Sequence, residues 1–314
     1  CKLTKQLLYE RTKVNHEICT YCNPIGQSSV SGHEKMISSF LNEHNIIHEK
    51  SNRRLIGKEI DIYIPQKSLG IEVDGLYWHN ELFVTPTYHL QKTIDCQNKG
   101  INLIHIFEDE LIYKTDIIKS IIKNKLNLIT ERIFARKCAI KEIDNKTCVL
   151  FLEENHIQGG VNSKVRIGLY YEDKLVSVMT FSKGRIIMGG KSNEWELTRF
   201  ANLINTNVIG ASSKLFTFFL KKYNPTKIVS YSDIRLFDGQ MYETLGFNKI
   251  SQSKPNYWYV INGVRHYRFN FTKSKLVKEG FDKEKTEKEI MFERKIYRIY
   301  DCGNIRWEYS SQKK

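Results

Sequence analysis

Polar and apolar positions alternate in two short runs near residue 60. Ile60, Ile62 and Ile64 alternate with Asp61 and Tyr63, the period of two that marks a half-buried strand. Residues 65–70, from Pro65 to Gly70, break the alternation as a hairpin loop does. It resumes at Ile71 and Val73, which leaves Glu72 and Asp74 together on the opposite face. Helical spacing brackets this hairpin. Upstream, Met36, Ile37, Phe40 and Leu41 form an apolar stripe behind Ser31, an N-cap residue. Glu34 stands at capping-box distance from Ser31 and can reach back to its free backbone N–H. Downstream, residues 88–100 read as a helix closed by Gly100, 101–107 as an apolar strand, and 115–127 as a helix with Ile117, Ile118, Ile121 and Ile122 inward. Helix, hairpin, helix, strand, helix is the order of a compact α/β unit.

From Ile133 the pattern becomes richer in strands. Residues 165–171 and 175–181 flank the turn Glu172-Asp173 as a hairpin, 195–200 and 227–232 read as further strands, and 214–223 as a helix. A short helix follows at 239–245. The last hairpin pairs 257–261 with 266–271 around Asn262-Gly263, a type I′ turn signal. This is a second α/β domain. Residues after 272 are densely charged and carry one exposed helix near 281–290. The expected organisation is a small N-terminal segment (1–27), a first α/β domain (28–130), a second α/β domain (131–272) and a charged C-terminal tail (273–314).

Composition narrows the class. No run of eighteen apolar residues exists in the 314, so no membrane-spanning helix is expected. The net charge of +14 favours a polyanionic partner, nucleic acid before an anionic membrane. Seven cysteines, an odd and scattered set, suit a reducing cytoplasm better than a disulfide scaffold. Cys19 and Cys22 are spaced as half of a zinc knuckle. The other half is not evident; Cys1 and His16 are available, and two reduced thiols in a turn fit the same spacing. The opening Cys-Lys-Leu-Thr-Lys has neither a start methionine nor an apolar leader, which reads as a trimmed or partial chain without a secretion signal.

The hairpin carries the candidate chemistry. It would bring Asp61, Glu72 and Asp74 together, and like charges that close repel unless a divalent cation neutralises them. Phosphodiester hydrolysis needs such a cation plus a group that moves protons. Asp61 and Glu72 are the candidate Mg²⁺ ligands, with Asp74 as a further ligand or water-orienting acid. His79 and His89 are the proton carriers, and Lys92, one helical turn beyond His89, a phosphate contact. Arg53, Arg54, Lys58, Arg265 and Arg268 are candidate contacts to the DNA backbone.

Asp61, followed by Asp74-Gly75-Leu76-Tyr77-Trp78-His79, resembles the very-short-patch repair endonuclease signature His-Gly-Cys-Phe-Trp-His, with Asp74 in place of its first histidine. Together with Glu34, the run Tyr88-His89-Leu-x-Lys92-Thr93 and the run from Leu103 to Glu110, the chain resembles more closely the related phage homing endonucleases of the EDxHD type. The resemblance implies a restriction-endonuclease-like mixed-sheet core, Mg²⁺-dependent cleavage of double-stranded DNA in a host cytoplasm, and a site role for Glu34. In that superfamily a lysine commonly stands where Asp74 does, which turns water activation over to His79 or His89. The Cys19-x-x-Cys22-Asn-Pro segment resembles the zinc-ribbon-like module that often precedes such a nuclease.

The second domain resembles the N-acetyltransferase-like (GNAT) fold at residues 208–215 and 242–247. The family's Gln/Arg-x-x-Gly-x-Gly/Ala run appears as Asn207-Val-Ile-Gly210-Ala-Ser212, and Gly210 would open a helix whose free N–H groups hold the pyrophosphate of an acyl-CoA. Two polar clusters, Asn155-His156-Ile-Gln158-Gly159 and Tyr231-Ser-Asp233-Ile-Arg235, stand near strand ends and suit either catalysis or DNA reading. The leading expectation is a Mg²⁺-dependent, site-specific DNA endonuclease whose second domain recognises DNA or is accessory. The alternatives are an acyl-CoA-dependent nucleic-acid modification enzyme with a degenerate nuclease fold, and a non-catalytic DNA-binding protein.

Overall fold

The alternation at residues 60–74 forms the expected hairpin, and a four-stranded sheet grows from it. In this computed structural model residues 31–183 and 194–311 are described; Cys19 and Cys22 lie outside them. The chain divides into two units, Cys1–His48 and Glu49–Lys314. In the first, helix α1 (Gly32–Glu43) starts at a complete capping box: Glu34 N–H donates to Ser31 Oγ at 3.1 Å, and Ser31 N–H to Glu34 Oε1 at 3.2 Å. Ile37, Phe40 and Leu41 of its apolar stripe are buried.

The second unit begins with β1 (Glu49–Asn52), β2 (Ile60–Ile64) and β3 (Leu69–Asp74), which pair antiparallel in that order. Helix α2 (Tyr88–Gln97) then crosses over to β4 (Asn102–Phe107), which lies parallel to β3. A parallel neighbour requires such a crossover. All six residues of β3 are buried, as befits an inner strand covered on both faces. Helices α3 (Glu108–Tyr113) and α4 (Thr115–Leu126) follow, the latter burying Ile117, Ile118 and Ile122.

A two-stranded parallel pair joins β5 (Arg132–Phe134) to β10 (Asn207–Ile209). The larger sheet has seven strands: β6 (Ala139–Glu142), β7 (Val165–Tyr171), β8 (Lys174–Lys183), β9 (Glu194–Asn202), β11 (Lys227–Asp233), β12 (Asn248–Gln252) and β16 (Asn304–Ser310). Their order is β12-β16-β11-β9-β8-β7-β6. Every neighbouring pair is antiparallel except β9 and β11, which match only over Glu194–Glu196 and Lys227–Val229 before they diverge. Helix α5 (Asn145–Asn155) packs on this sheet through Cys148 and Leu152. Helix α6 (Ala211–Tyr223) begins directly after Gly210, three residues earlier than its pattern predicts, and buries Leu215, Phe216 and Phe219 in the main core. A short α7 (Gln240–Thr244) precedes β12.

Residues 273–311, expected as a charged tail, are built into the fold. Most of their charges occupy exposed faces while apolar positions point inward; Asp301 and Arg298 are the largely buried exceptions. Helices α8 (Lys273–Lys278) and α9 (Glu287–Glu293) bury Leu276, Ile290 and Met291. The last hairpin, β13 (Tyr257–Ile261) and β14 (Val264–Tyr267), is joined by β15 (Arg298–Tyr300) into a three-stranded sheet. β16 lies beside β11, where Trp307 is buried and its indole N–H donates to Ser232 Oγ at 2.9 Å. The architecture is thus mixed α/β with several sheets, as expected. Among the described residues Cys96, Cys138, Cys148 and Cys302 are free, and no helix is long and apolar enough to cross a membrane.

The four-stranded sheet is bolted to the strands that follow it by charge. Arg235, at the end of β11, donates from Nη1 to His105 O and Glu110 Oε2, and from Nη2 to Glu110 Oε1 and Asp233 Oδ2, each at 3.0 Å. Arg265 of β14 pairs with Asp109 at 2.8 Å and with Glu110 at 2.8 Å. The two guanidinium groups flank the Phe107 ring, 4.7 and 4.0 Å from its centroid. Burial alone would raise the Glu110 carboxyl, but Arg235 and Arg265 outweigh it and hold it down at about 2. A carboxyl depressed on folding stabilises above its unfolded value and loses that contribution as pH falls through the folded one. Glu110→Gln leaves Arg235 short of a buried partner and is expected to cost about 3–5 kcal/mol at neutral pH. Urea unfolding at pH 7 and at pH 3 checks this: the gap to wild type should narrow in acid.

Candidate metal centre

Asp74 ends β3 with none of its surface exposed. The chain then turns out of the sheet: Leu76 N–H donates to Glu108 Oε2 at 3.0 Å, and His79 N–H to Gly75 O at 3.1 Å. That turn carries the His79 ring back over Asp74. Helix α2 brings His89 to the same carboxylate and, one turn on, Thr93 to the ring of His105, both side chains buried. His105 comes from β4, where it stands beside Glu72 in the parallel register.

The three histidines divide the two oxygens of Asp74. Oδ2 lies 3.0 Å from His105 Nδ1, and Thr93 Oγ1 lies 3.0 Å from the other nitrogen of that ring. Oδ1 lies 3.3 Å from His79 Nδ1 and 3.4 Å from His89 Nε2, and is buried without a hydrogen-bond partner. His79 Nδ1 and His89 Nε2 are 2.9 Å apart, on rings stacked at 5°. His89 Nδ1 lies 2.7 Å from the backbone carbonyl of Tyr300. A carbonyl only accepts, so Nδ1 holds the His89 proton and Nε2 presents a lone pair to Asp74 and His79.

One atom each from Asp74, His79 and His89 therefore falls within a sphere where all three lie within 4.8 Å of one another. Their separations of 2.9, 3.3 and 3.4 Å suit neighbouring ligands on a divalent cation bound at about 2.0–2.2 Å. The unpartnered Asp74 Oδ1 supplies the charge such an ion needs, and the residues present fit a metal. Burial would raise the Asp74 carboxyl, yet His89, His105 and His79 together hold it well below the usual carboxylate range. Burial pushes His79 and His89 below the ordinary imidazole value, with Asp74 opposing.

Next to this cluster, Lys92 Nζ donates to Glu72 Oε2, both side chains buried. Burial and the Asp61 carboxylate push Glu72 well up, and Lys92 is held above its usual value by Glu72 against its own burial. Asp61 N–H donates to Glu72 Oε1 at 3.1 Å, and Asp61 Oδ2 accepts from Val73 N–H at 2.8 Å.

The hairpin thus assembles Asp61, Glu72 and Asp74 along one edge, and α2 adds His89 and Lys92 to it. The metal-competent set is Asp74, His79 and His89, whereas the expected pair was Asp61 and Glu72. Lys92 supplies the positive charge at Glu72. Glu34 belongs to the first unit, where its carboxylate closes the capping box. The roles of His105 and Tyr300 were not singled out in the sequence. A lone histidine inside the apolar run 101–107 was the available signal for the first; a backbone carbonyl leaves none.

The basic candidates scatter. Arg53 pairs with Glu59, and Lys58 with Asp95 at 2.8 Å; Arg54 is exposed. Arg265 is committed to Asp109 and Glu110, while Arg268 stacks over Tyr257 and Phe269. Gly210 caps α6 with φ of 79° and borders a cavity of about 580 Å³ with Arg136, Lys214 and Lys221. A second cleft, about 740 Å³, opens where β9 and β11 diverge, lined in part by His156, Gln158, Arg199, Tyr231 and Asp233. Burial there holds His156 neutral, its pKa pushed down to about 3.

No family model matches the chain, and no curated protein matches it. Most of the matched solved structures are acetyltransferases. The ribosomal-protein-S18-alanine N-acetyltransferase of Escherichia coli aligns at 10% identity over 56% of this chain and 96% of its own, with a TM-score of 0.36. A Bacillus subtilis acetyltransferase in complex with CoA aligns at 12% identity over 55% and 99%, with a TM-score of 0.33. The catalytic domain of the homing endonuclease I-Bth0305I aligns at 24% identity over 31% of this chain and 96% of its own, with a TM-score of 0.28. At such identities and TM-scores these likenesses decide no function.

Protons compete with a cation for the imidazole lone pairs. Because His79 and His89 are shifted downward, Mn²⁺ binding should persist as pH falls through the ordinary imidazole value of about 6.5 and fail only in more acid solution. Calorimetric Mn²⁺ titration across pH 5–8 measures this, and Asp74→Asn should remove the binding at every pH.

Proposed function

We propose that the chain is a metal-dependent endonuclease that hydrolyses phosphodiester bonds in double-stranded DNA, with the ion held by Asp74, His79 and His89. One observation carries the reading: three ligand atoms from a strand, a turn and a helix converge, one of them a buried carboxylate oxygen with no hydrogen-bond partner. A bound divalent ion supplies charge to neutralise the phosphate and acidify a water. The protein's own groups prepare the place. His105, itself held by Thr93, engages Asp74 Oδ2 and so leaves Oδ1 directed at the two histidines. The Glu72–Lys92 pair ties β3 to α2 and keeps Asp74 and His89 in register. His79, with 21% of its side chain exposed, is the open side of the cluster, where a substrate phosphate can approach. The net charge of +14 suits a DNA partner, and the motif set around Asp61–His79 makes a site-specific phage homing endonuclease the specific form of the proposal. A structural zinc on Cys19 and Cys22 belongs to the same reading.

Two imidazoles and one carboxylate make a nitrogen-rich donor set, which suits Mn²⁺ or Zn²⁺ better than the Mg²⁺ expected from three acids. Supercoiled plasmid should be cut faster with Mn²⁺ than with Mg²⁺, and not at all with EDTA. Asp74→Ala and His89→Ala should each slow cleavage at least about 100-fold. Cleavage by Asp74→Ala protein at the wild-type rate would sink the assignment.

A second reading, acyl transfer from an acyl-CoA to a nucleic acid, draws on the cleft between the diverging β9 and β11 and on the helix opened by Gly210. A side chain at Gly210 would fill the neighbouring cavity from a strained φ of 79°. Acetyl-CoA binding by calorimetry, abolished in Gly210→Trp, together with plasmid left intact under every metal, would put this reading first.

A further inference from the structure

We propose that β15, over two hundred residues away in sequence, positions both histidines of the metal centre, with Arg298 as the positioning residue. The inference rests on the metal site assigned above. One end of this three-residue strand holds His89 directly, and the other holds the segment next to His79. At its C-terminal end the Tyr300 carbonyl accepts from His89 Nδ1 at 2.7 Å, across 211 residues of sequence. That bond selects the tautomer whose Nε2 lone pair faces Asp74 and His79.

At its N-terminal end Arg298 holds the segment that follows His79. Arg298 Nε and Nη2 donate to Glu81 Oε2 at 2.9 and 2.7 Å, and its backbone N–H to Glu81 Oε1 at 3.0 Å. Glu81 N–H returns a bond to Arg298 O at 2.8 Å, and Asn80 forms a bridge with Ile299. Two guanidinium nitrogens share Glu81 Oε2 while the backbone N–H takes Oε1, with both side chains largely buried, a charge-assisted contact that fixes orientation as well as distance. Between the two grips, Ile299 is fully buried against Leu76 and Phe107. Just past the strand, Cys302 Sγ lies 3.4 Å from Thr93 Oγ1, the hydroxyl that holds His105. Asp74 is thus surrounded by three histidines whose orientations trace back to residues 298–302.

A strand that only filled space would leave the imidazole tautomers and the ion affinity indifferent to Arg298. Positioning predicts otherwise, and the full chain labelled with ¹⁵N-histidine reads it directly. Without metal, His89 should appear with its proton on Nδ1 and Nε2 bare. Arg298→Met should move the His79 and His89 ring nitrogens toward the averaged shifts of a free imidazole and weaken Mn²⁺ binding about 10–100-fold. Arg298→Lys, which keeps the charge but not the fork, should fall between. Glu81→Gln tests the same grip from the other side if Arg298→Met does not fold. Lys227→Met, which breaks the half-buried pair with Glu308 elsewhere in the unit, should change neither readout. A protonated Nε2 on His89, or unchanged nitrogens and Mn²⁺ affinity in Arg298→Met, would overturn the inference. Equal Mn²⁺ binding by wild type and Arg298→Met leaves the metal site standing without it. No Mn²⁺ binding in wild type, with His89 shifts that still follow Arg298, removes the metal site and keeps the positioning.

Discussion

A carboxylate with no exposed surface sits at the end of β3, and the surrounding chain is arranged to keep it charged. An isolated ionised carboxyl in such a place is expensive, and proteins normally neutralise or pair it. Three imidazoles surround Asp74, His105 bonded to Oδ2 and His79 and His89 set against Oδ1, and all three arrive on different elements. The crossover helix α2 supplies one, the parallel neighbour β4 another, and the turn after Asp74 the third. The sheet order follows the same need. β3 must be an inner strand to bury Asp74, and β4 must lie parallel to place His105 beside Glu72.

The second layer of constraint is the charge that locks this sheet to the strands that follow. Arg235 and Arg265 clasp Glu110 and Asp109 while sandwiching Phe107, so the end of β4 cannot shift without breaking buried ion pairs. Removing one partner of such a pair is costly, whereas replacing the whole set by apolar groups need not be. Its structural use is a fixed register between parts of the chain distant in sequence. The site at Asp74 inherits that register, because His105 and Phe107 belong to the same strand.

Local periodicity made much of this readable. The hairpin at 60–74, the helix from residue 88 and the strand to residue 107 all follow from spacing alone, and with them the company of Asp61, Glu72, Asp74, His89 and Lys92. Long-range pairing was not readable. Lys92 pairs with Glu72 from another element, and the group that could hold a cation takes Asp74 together with two histidines. The charged stretch after residue 272 misled because charge density says where water is, not where Ile299 and Trp307 go. Arg265, read as a phosphate contact from its basic neighbours, spends its charge on Asp109.

The grip of Tyr300 on His89 also has a direction in time. A chain is made from its N-terminus, and His89 is synthesised 211 residues before its acceptor. Until that carbonyl emerges from the ribosome, Asp74, His79 and His89 are all present but the His89 ring has nothing to choose its tautomer. A product cut short by premature termination carries every acid and histidine of the cluster and still lacks the atom that orients it. The topology therefore ties the ordering of this cluster to translation through Tyr300.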